Sequence, residues 1–186
     1  MKNAIIIHGM PGKDEYYSPD YPAASNFQWL PWLQKQLLIK DVFAVTPEMP
    51  LAFMPEYNAW KREFERHDIT SETILVGHSC GAGFLVRWLS EHKDVKVGSV
   101  FLVAPWIDPD KALATGMFDF EIDPEFVSRT AGTTIYVSDN DDSDIHTSVK
   151  LITKLASTVH VREFAGRGHF LIDRFPELRD DIISGI

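Results

Sequence analysis

A serine flanked by glycines is the feature of this sequence that points most directly to chemistry. Ser79 lies in the run Gly77-His78-Ser79-Cys80-Gly81, which has the form Gly-x-Ser-x-Gly. An apolar β-branched stretch, residues 73–76, precedes it, and a helical pattern begins near Ala82. In that setting the glycines permit a tight strand-to-helix turn, which exposes the serine hydroxyl above the edge of a sheet. A glycine-rich helix start with a capping serine is the alternative, but the context favours a nucleophile.

A serine hydroxyl becomes a useful nucleophile only when a base removes its proton, and His169 is the best candidate for that base. It lies in Gly166-Arg167-Gly168-His169-Phe170, between the last predicted strand and the last predicted helix. In an open α/β sheet that loop lies at the same edge as Ser79. His146 is a weaker candidate because it falls in the region of the expected acid. Three histidines fall in helical or strand patterns away from that edge, namely His67, His92 and His160.

The base needs a carboxylate that holds its tautomer and stabilises the imidazolium. The loop after the fifth predicted strand carries four such groups: Asp139, Asp141, Asp142 and Asp144. A solvated turn or helix cap would also favour aspartate, but the chain order Ser, Asp, His is the order of α/β hydrolases. We prefer Asp142, which lies three residues before the next helical pattern at Ile145, with Asp141 second and Asp139 third.

Two backbone amides are expected to bind the oxyanion of a tetrahedral intermediate. One is the amide of Cys80, the residue after the nucleophile, and the other follows the first predicted strand. Met10 is the candidate for that second position, with Gly9 as its neighbouring alternative. Cys80 could itself be suspected as a catalytic thiol, but no second element of the sequence supports thiol chemistry.

Four further side chains are candidates for lining the site. His8 follows the first predicted strand and His78 precedes Ser79, so both are expected near the same edge. Trp106 and Phe118 lie in residues 105–123, which we expect to form a short lid or helical excursion. These two aromatic side chains could form an apolar acyl pocket, or they could fill the core. A second long loop is expected at residues 12–26, and loops of that length are usually functional or mobile.

Six short apolar runs alternate with helical patterns, which is typical of a parallel sheet covered on both faces. The predicted strands are residues 4–7, 42–45, 73–76, 100–103, 134–137 and 159–161, and the clearest predicted helices are residues 29–38, 145–155 and 175–183, besides the one after Gly83. The expected fold is therefore α/β, a three-layer sandwich with an open, mostly parallel sheet of about six strands.

Length, charge and composition narrow the class of protein. The 186 residues predict one domain, residues 1–186, and 18 basic against 27 acidic residues leave a net charge of −9. With 45% hydrophobic and 24% charged residues, a disordered chain is excluded. The acidic balance offers no reason to bind nucleic acid or anionic lipid. A single cysteine and the lack of a long apolar run favour a cytoplasmic protein without a membrane span.

The sequence resembles the small α/β-hydrolase-fold serine hydrolases of the retinoblastoma-binding protein 9 / YdeN type over nearly its whole length. The matching segments are Ile6-Ile7-His8-Gly9, Trp29-Leu30-Pro31-Trp32-Leu33 and the helix that continues from it, Glu48-Met49-Pro50, Gly77-His78-Ser79-Cys80-Gly81, Asp141-Asp142 and Gly168-His169-Phe170. The resemblance places the family's nucleophile on Ser79, its acid on Asp142 and its base on His169. The sequence differs from the family in two places: it has extra residues at about 13–25, and it has polar residues around the acid.

The resemblance implies hydrolysis of small carboxylic esters, with no metal and no organic cofactor. We therefore expect a carboxylesterase acting on a small-molecule acyl ester. The main alternative is a catalytically weak interaction module with an unspecified protein partner, because some family members are described as interaction proteins. The acid loop discriminates between the two: a module is favoured if none of Asp139, Asp141 and Asp142 reaches His169. An acyl or amide transferase that uses the same residues ranks third.

Overall fold

The fold is built on one sheet of six parallel strands. The computed structural model describes residues 2–185, and the order of strands across the sheet is β2-β1-β3-β4-β5-β6. The strands are β1 (Asn3–Ile7), β2 (Phe43–Val45), β3 (Ile74–His78), β4 (Val100–Val103), β5 (Thr133–Ser138) and β6 (His160–Phe164). Every neighbouring pair is parallel. The α/β class and the six predicted strands are therefore confirmed.

Helices connect the strands and cover the sheet. They are α1 (Lys13–Tyr17), α2 (Trp29–Leu38), α3 (Tyr57–Phe64), α4 (Cys80–Glu91), α5 (Ser143–Leu155) and α6 (Pro176–Ser184), with short 3₁₀ turns at Ala24–Asn26 and Phe126–Arg129. The chain moves outward in one direction from β1 to β2 and in the other from β3 to β6. Because crossover connections are right-handed, α2 and α4 lie on opposite faces, which gives the three expected layers. No helix within residues 2–185 is long and apolar enough to cross a membrane.

The central strands are apolar at successive positions because helices cover both of their faces. Every residue of β3 and of β4 is buried. Below them, the aromatic rings of α3 and α4 pack edge to face, with the Phe64 and Phe84 ring centroids 5.4 Å apart. The reversal of strand order between β1 and β3 leaves a crevice at the carboxyl ends of these two strands, where open α/β sheets bind their ligands.

Two segments differ from the sequence-based expectation. The loop predicted at residues 12–26 contains α1 and a 3₁₀ turn, and α3 was not predicted at all. A signal for α3 was present, because Tyr57, Trp60 and Phe64 recur at helical spacing and are all buried. The Glu56 carboxylate also caps this helix by accepting from the Asn58 and Ala59 amides.

The segment from 105 to 123 forms neither a helix nor a free lid in the described chain. Its backbone is attached to α4, because Arg87 donates to the carbonyl oxygens of Gly116 and Met117 at 2.6 and 2.8 Å. Arg129 forms an ion pair with Asp123 at 2.8 Å near its end. These contacts make the segment a fixed cover over α4.

Glycines allow β3, α4 and β1 to meet at van der Waals distance. A Cβ at Gly81 would lie 2.4 Å from the carbonyl oxygen of His8, and a Cβ at Gly77 would lie 2.5 Å from the Ala82 Cα. Both obstacles are backbone atoms, which cannot move without displacing a strand or a helix. The glycines of the Gly-x-Ser-x-Gly motif are therefore required by close packing of the backbone.

Gly81→Ala is expected to lower the free energy of unfolding by about 1–3 kcal/mol, because the added methyl group overpacks the junction of β1 and α4. Gly185→Ala is the matched control, since its Cβ would come no closer than 3.7 Å to any atom. Urea denaturation followed by circular dichroism measures both. Equal midpoints for the two variants would contradict the close-packing argument.

Candidate active site

Ser79 lies at the apex of the turn between β3 and α4. Its φ of 53° and ψ of −120° put a non-glycine residue in a sparsely populated region of backbone space, of the kind that concentrates at functional sites. The turn is held from both sides: the Ser79 amide donates to the Val103 carbonyl at 2.8 Å, and the Ser79 carbonyl accepts from the Trp106 amide at 3.1 Å. The strained conformation is thus fixed by the neighbouring strand and its loop.

Asp141 is the carboxylate that contacts His169. Its Oδ1 lies 2.8 Å from His169 Nδ1, and its side chain is fully buried. An ionised carboxylate only accepts, so Nδ1 carries the proton and Nε2 is left as the acceptor. The other carboxylate oxygen of Asp141 is buried without a hydrogen-bond partner in the described chain.

The preference for Asp142 is therefore wrong about which side chain reaches His169, and the second choice, Asp141, is the one in contact. Asp142 is exposed and begins α5 as its N-cap residue. Its backbone amide donates to Asp141 Oδ1 at 2.8 Å. Adjacent side chains on extended backbone point to opposite sides, so one position along the loop turns the carboxylate away from the imidazole. Asp139 does not face His169 either: it accepts from the Gly166 amide at 2.8 Å.

Three consecutive side chains of the acid loop hold the backbone of the histidine loop. Besides Asp139, Ser138 Oγ accepts from the Arg167 amide and Asn140 Oδ1 accepts from the Gly168 amide, each at 2.8 Å. Ser138 Oγ also donates to Asn140 Oδ1 at 2.8 Å. The acidic run that could have been a solvated turn is instead tied to the loop that carries His169.

Aromatic packing anchors the other side of the histidine loop. Phe170, the next residue along the chain, is fully buried with φ at 54°. Its ring stacks on Phe175 at 5.2 Å between centroids and contacts Phe164 at 5.7 Å. The cluster continues through Trp29 and Tyr136. Burial of these rings fixes where the loop leaves the sheet.

His78 lies beneath His169 as a neutral hydrogen-bond donor. Its Nε2–H donates to the His169 carbonyl at 2.9 Å, and the two ring centroids are 5.0 Å apart. Burial, together with the neighbouring charge of His169, lowers the pKa of His78 to about 3. At neutral pH His78 therefore supports the loop without adding a positive charge next to the imidazole above it.

His8 is a second neutral histidine at the floor of the site. Its Nε2 accepts from the Met49 amide at 2.9 Å, so its Nδ1–H donates to the Gly9 carbonyl at 2.7 Å. Burial lowers the pKa of His8, against smaller raising effects of the Gly9 hydrogen bond and the Glu48 carboxylate. The His8 ring thus has a fixed tautomer and ties the end of β1 to the backbone at Met49.

The two candidate oxyanion-binding amides belong to the residue that follows Ser79 and to the residue that follows Gly9. Cys80 is the first residue of α4, where amides have no intrahelical partner. Across the crevice, a Cβ at Gly9 would come within 3.1 Å of the Ser79 Cβ, and Met10 follows directly. The Cys80 thiol is fully buried, and burial raises its pKa. It therefore stays protonated, which argues against thiol chemistry.

Ser79 and His169 line one cavity of about 470 Å³ at the crevice between β1 and β3. His8, His78 and Met10 are among the predicted residues that line it. Its remaining walls come mainly from the loop after β1 and the loop after His169: Gly9, Pro11, Glu15, Tyr21, Ala24, Phe27, Gln28, Leu30, Leu171 and Asp173. These loops could not be assigned to the wall from periodicity, because their side chains follow no helical or strand pattern.

The prediction that Trp106 and Phe118 line this cavity is wrong. Phe118 faces a separate cavity of about 480 Å³ between residues 107–122 and α5. Trp106 packs edge to face on Phe118, with 5.6 Å between ring centroids, and is not among the residues that line the Ser79 cavity. The backbone of this segment packs directly on α4, since a Cβ at Gly83 would lie 1.9 Å from the Trp106 carbonyl oxygen. Within residues 2–185, no group of three or more His, Cys, Asp and Glu is arranged to hold a metal ion.

The fold and its proportions are similar to those of solved α/β hydrolases. The crystal structure of the ydeN gene product of Bacillus subtilis superimposes with a TM-score of 0.82 at 22% identity, covering 99% of this chain and 98% of that one. Est1E from Butyrivibrio proteoclasticus superimposes with a TM-score of 0.67 at 14% identity, covering 99% and 88%. A methylesterase from Arabidopsis, MES16, gives 0.65 at 11% identity, covering 99% and 98%. At these identities the likeness concerns the fold.

Sequence comparison extends the likeness to family. The putative hydrolase YdeN of Bacillus subtilis is 28% identical over 182 residues, which cover 92% of this chain and 87% of that protein. The sequence model of the serine hydrolase family matches residues 16–174. That match spans well over half of the chain and includes the strained serine turn, the acid loop and the histidine loop. The chain therefore belongs to the serine hydrolase family.

Proposed function

We propose that this hydrolase is a carboxylesterase that cleaves small acyl esters with Ser79 as nucleophile, His169 as general base and Asp141 as the orienting acid. One observation carries the proposal: Ser79 lines the same cavity as a histidine whose Nδ1 is hydrogen-bonded to a buried carboxylate. The Asp141–His169 contact also favours the enzyme over the interaction module, which required an acid loop out of reach of His169.

Acylation follows from the tautomer of His169. With the proton on Nδ1 held by Asp141, the lone pair of Nε2 accepts the proton of Ser79 Oγ as that oxygen attacks the ester carbonyl. The imidazolium that forms is stabilised by the Asp141 carboxylate. It then gives its proton to the departing alcohol, and an acyl-serine remains.

The amides of Cys80 and Met10 are proposed to hold the developing oxyanion. The Cys80 amide belongs to the first turn of α4, where the unpaired N–H groups and the helix dipole favour negative charge. In the second half of the reaction, His169 takes a proton from water as the water oxygen attacks the acyl carbonyl. The bond between that carbon and Ser79 Oγ then breaks, the carboxylic acid leaves, and the imidazolium returns the proton to Ser79 Oγ.

Both the size of the cavity and the structural relatives support small esters as substrates. A volume of about 470 Å³ accommodates a short acyl group with its alcohol. Among the structural relatives, Est1E has been solved with ferulic acid bound, and MES16 is a methylesterase. The cavity wall combines apolar side chains such as Phe27 and Leu30, which suit an uncharged acyl chain, with polar and charged ones such as Gln28 and Glu15.

Ser79→Ala is expected to lower kcat/KM for p-nitrophenyl acetate by at least about 1,000-fold, because no other hydroxyl is proposed to attack. The same variant should no longer react with a fluorophosphonate probe. Circular dichroism controls for folding. Probe labelling equal to that of the wild type would contradict the assignment of the nucleophile.

Asp141→Asn is expected to lower kcat by about 10⁴-fold, because an amide at this position favours the wrong imidazole tautomer. Asp142→Asn is the matched control from the adjacent position and should stay within about twofold of the wild type. Steady-state hydrolysis of p-nitrophenyl butyrate measures both. A larger loss in Asp142→Asn than in Asp141→Asn would reverse the assignment of the acid.

The charge of the cavity wall predicts discrimination against anionic esters. Glu15 and Asp173 line the cavity, and no residue that lines it in the described chain is Lys or Arg. The kcat/KM for mono-p-nitrophenyl adipate should therefore be roughly three- to tenfold lower than for p-nitrophenyl hexanoate. Asp173→Asn should narrow this ratio, whereas Asp180→Asn, on the exposed side of α6, should not. The ratio should also narrow at high salt, and a preference for the anionic ester would contradict the argument.

A further inference from the structure

We propose that Asn140 is a positioning residue for His169, acting through the backbone of the loop that precedes it, with Ser138 and Asp139 in supporting roles. This inference rests on the proposed function of His169 as general base. It assigns a task to the polar residues that surround the orienting acid and that the resemblance to the family left without one.

Three hydrogen bonds from backbone amides to side chains join the histidine loop to the acid loop. The side chains of residues 138, 139 and 140 accept from the amides of residues 167, 166 and 168, respectively, and each distance is 2.8 Å. The Asp139 amide adds a backbone bond to the Phe164 carbonyl at 2.9 Å. Asn140 makes the contact closest to the base, since Gly168 directly precedes His169.

Apart from these bonds, this side of the histidine loop is held by the Arg167 side chain, whose guanidinium donates to Glu177 Oε1 at 2.5 Å. Gly166 and Gly168 have φ values of 68° and 53°, in the left-handed region that favours glycine. A Cβ built on either glycine meets no atom within 4 Å. Since glycine side chains supply no packing and the surroundings are open, the amide hydrogen bonds are the main restraint on the backbone of these two glycines. Without them the glycines would allow many conformations.

His169 is therefore held from both directions along the chain. On its carboxyl side, its carbonyl accepts from His78 and Phe170 is buried. On its amino side, the restraint is the Gly168 amide on Asn140 Oδ1. Loss of that bond removes the backbone restraint next to the imidazole, although the Nδ1 contact with Asp141 remains. A displacement of about 1 Å at a catalytic group can cost on the order of 100-fold in rate.

The arrangement also couples the acid to the base. Asn140 is adjacent to Asp141 in the chain, and the Asp141 amide donates to the Ser138 carbonyl at 3.3 Å. The same short segment thus carries the carboxylate that orients the imidazole and the acceptors that hold its backbone. A displacement of this segment would therefore affect both contacts.

The test compares three substitutions at Asn140 with one control. Asn140→Ala and Asn140→Leu remove the acceptor, Asn140→Asp keeps it, and Asn58→Ala alters an asparagine at the start of α3, far along the chain. The expected result is a 10- to 100-fold fall in kcat for p-nitrophenyl acetate in the first two variants, with KM within twofold. Asn140→Asp should recover most of the loss, and Asn58→Ala should behave as the wild type.

Hydrogen–deuterium exchange of residues 166–170 reads the restraint directly and does not depend on turnover. Exchange should accelerate in Asn140→Ala and stay slow in Asn140→Asp. Faster exchange with unchanged kcat, or a lower melting temperature as the only effect, would leave Asn140 a purely structural residue and overturn the proposal. Unchanged exchange in Asn140→Ala would show that Asn140 does not restrain the histidine loop, which would also overturn the proposal. A wild-type protein without esterase activity would instead contradict the proposed function, and the positioning role with it.

Discussion

The close approach of α4 to the carboxyl ends of β1 and β3 is the constraint on which the site depends. Only residues without a Cβ fit at 77 and 81, where the nearest obstacles are backbone atoms of Ala82 and His8. This contact forces the chain to turn within one residue, so Ser79 takes a positive φ that is otherwise costly. Hydrogen bonds to Val103 and Trp106 stabilise this strained conformation. As a result, the serine and the first amides of α4 lie at the same crevice.

Two buried histidines near that turn are held in the neutral form. His8 and His78 lie next to the site, yet burial lowers the pKa of each, so both act as neutral hydrogen-bonding groups. The buried carboxylate of Asp141 faces the imidazole of His169. An imidazolium formed there meets an opposite charge at 2.8 Å without repulsion from His78, the histidine whose ring lies beside it.

Two loop segments differ in whether they line the Ser79 cavity. The excursion after β4 is attached to α4 by Arg87 and covers the core on the far side of that helix. The loop after β1 contributes much of the cavity wall instead, through Met10, Tyr21 and Phe27. The extra residues of this loop therefore lie where they can shape the entrance to Ser79. Trp106 and Phe118 of the excursion instead pack on each other outside the Ser79 cavity.

The local sequence determined the elements and the chemistry that they carry. Runs such as residues 4–7 predicted the strands, and the spacing of Gly77, Ser79 and Gly81 predicted the turn, because both depend on short-range patterns of side chains. The tertiary structure decided which of several equivalent residues meets His169: Asp141 and Asp142 differ by one position in a loop without periodicity, and only the pairing of that loop with residues 166–168 orients them. The tertiary structure also decided which loop lines the cavity. The orientation of Trp106 and Phe118 depends on how their segment packs on α4, and no local sequence pattern encodes that packing.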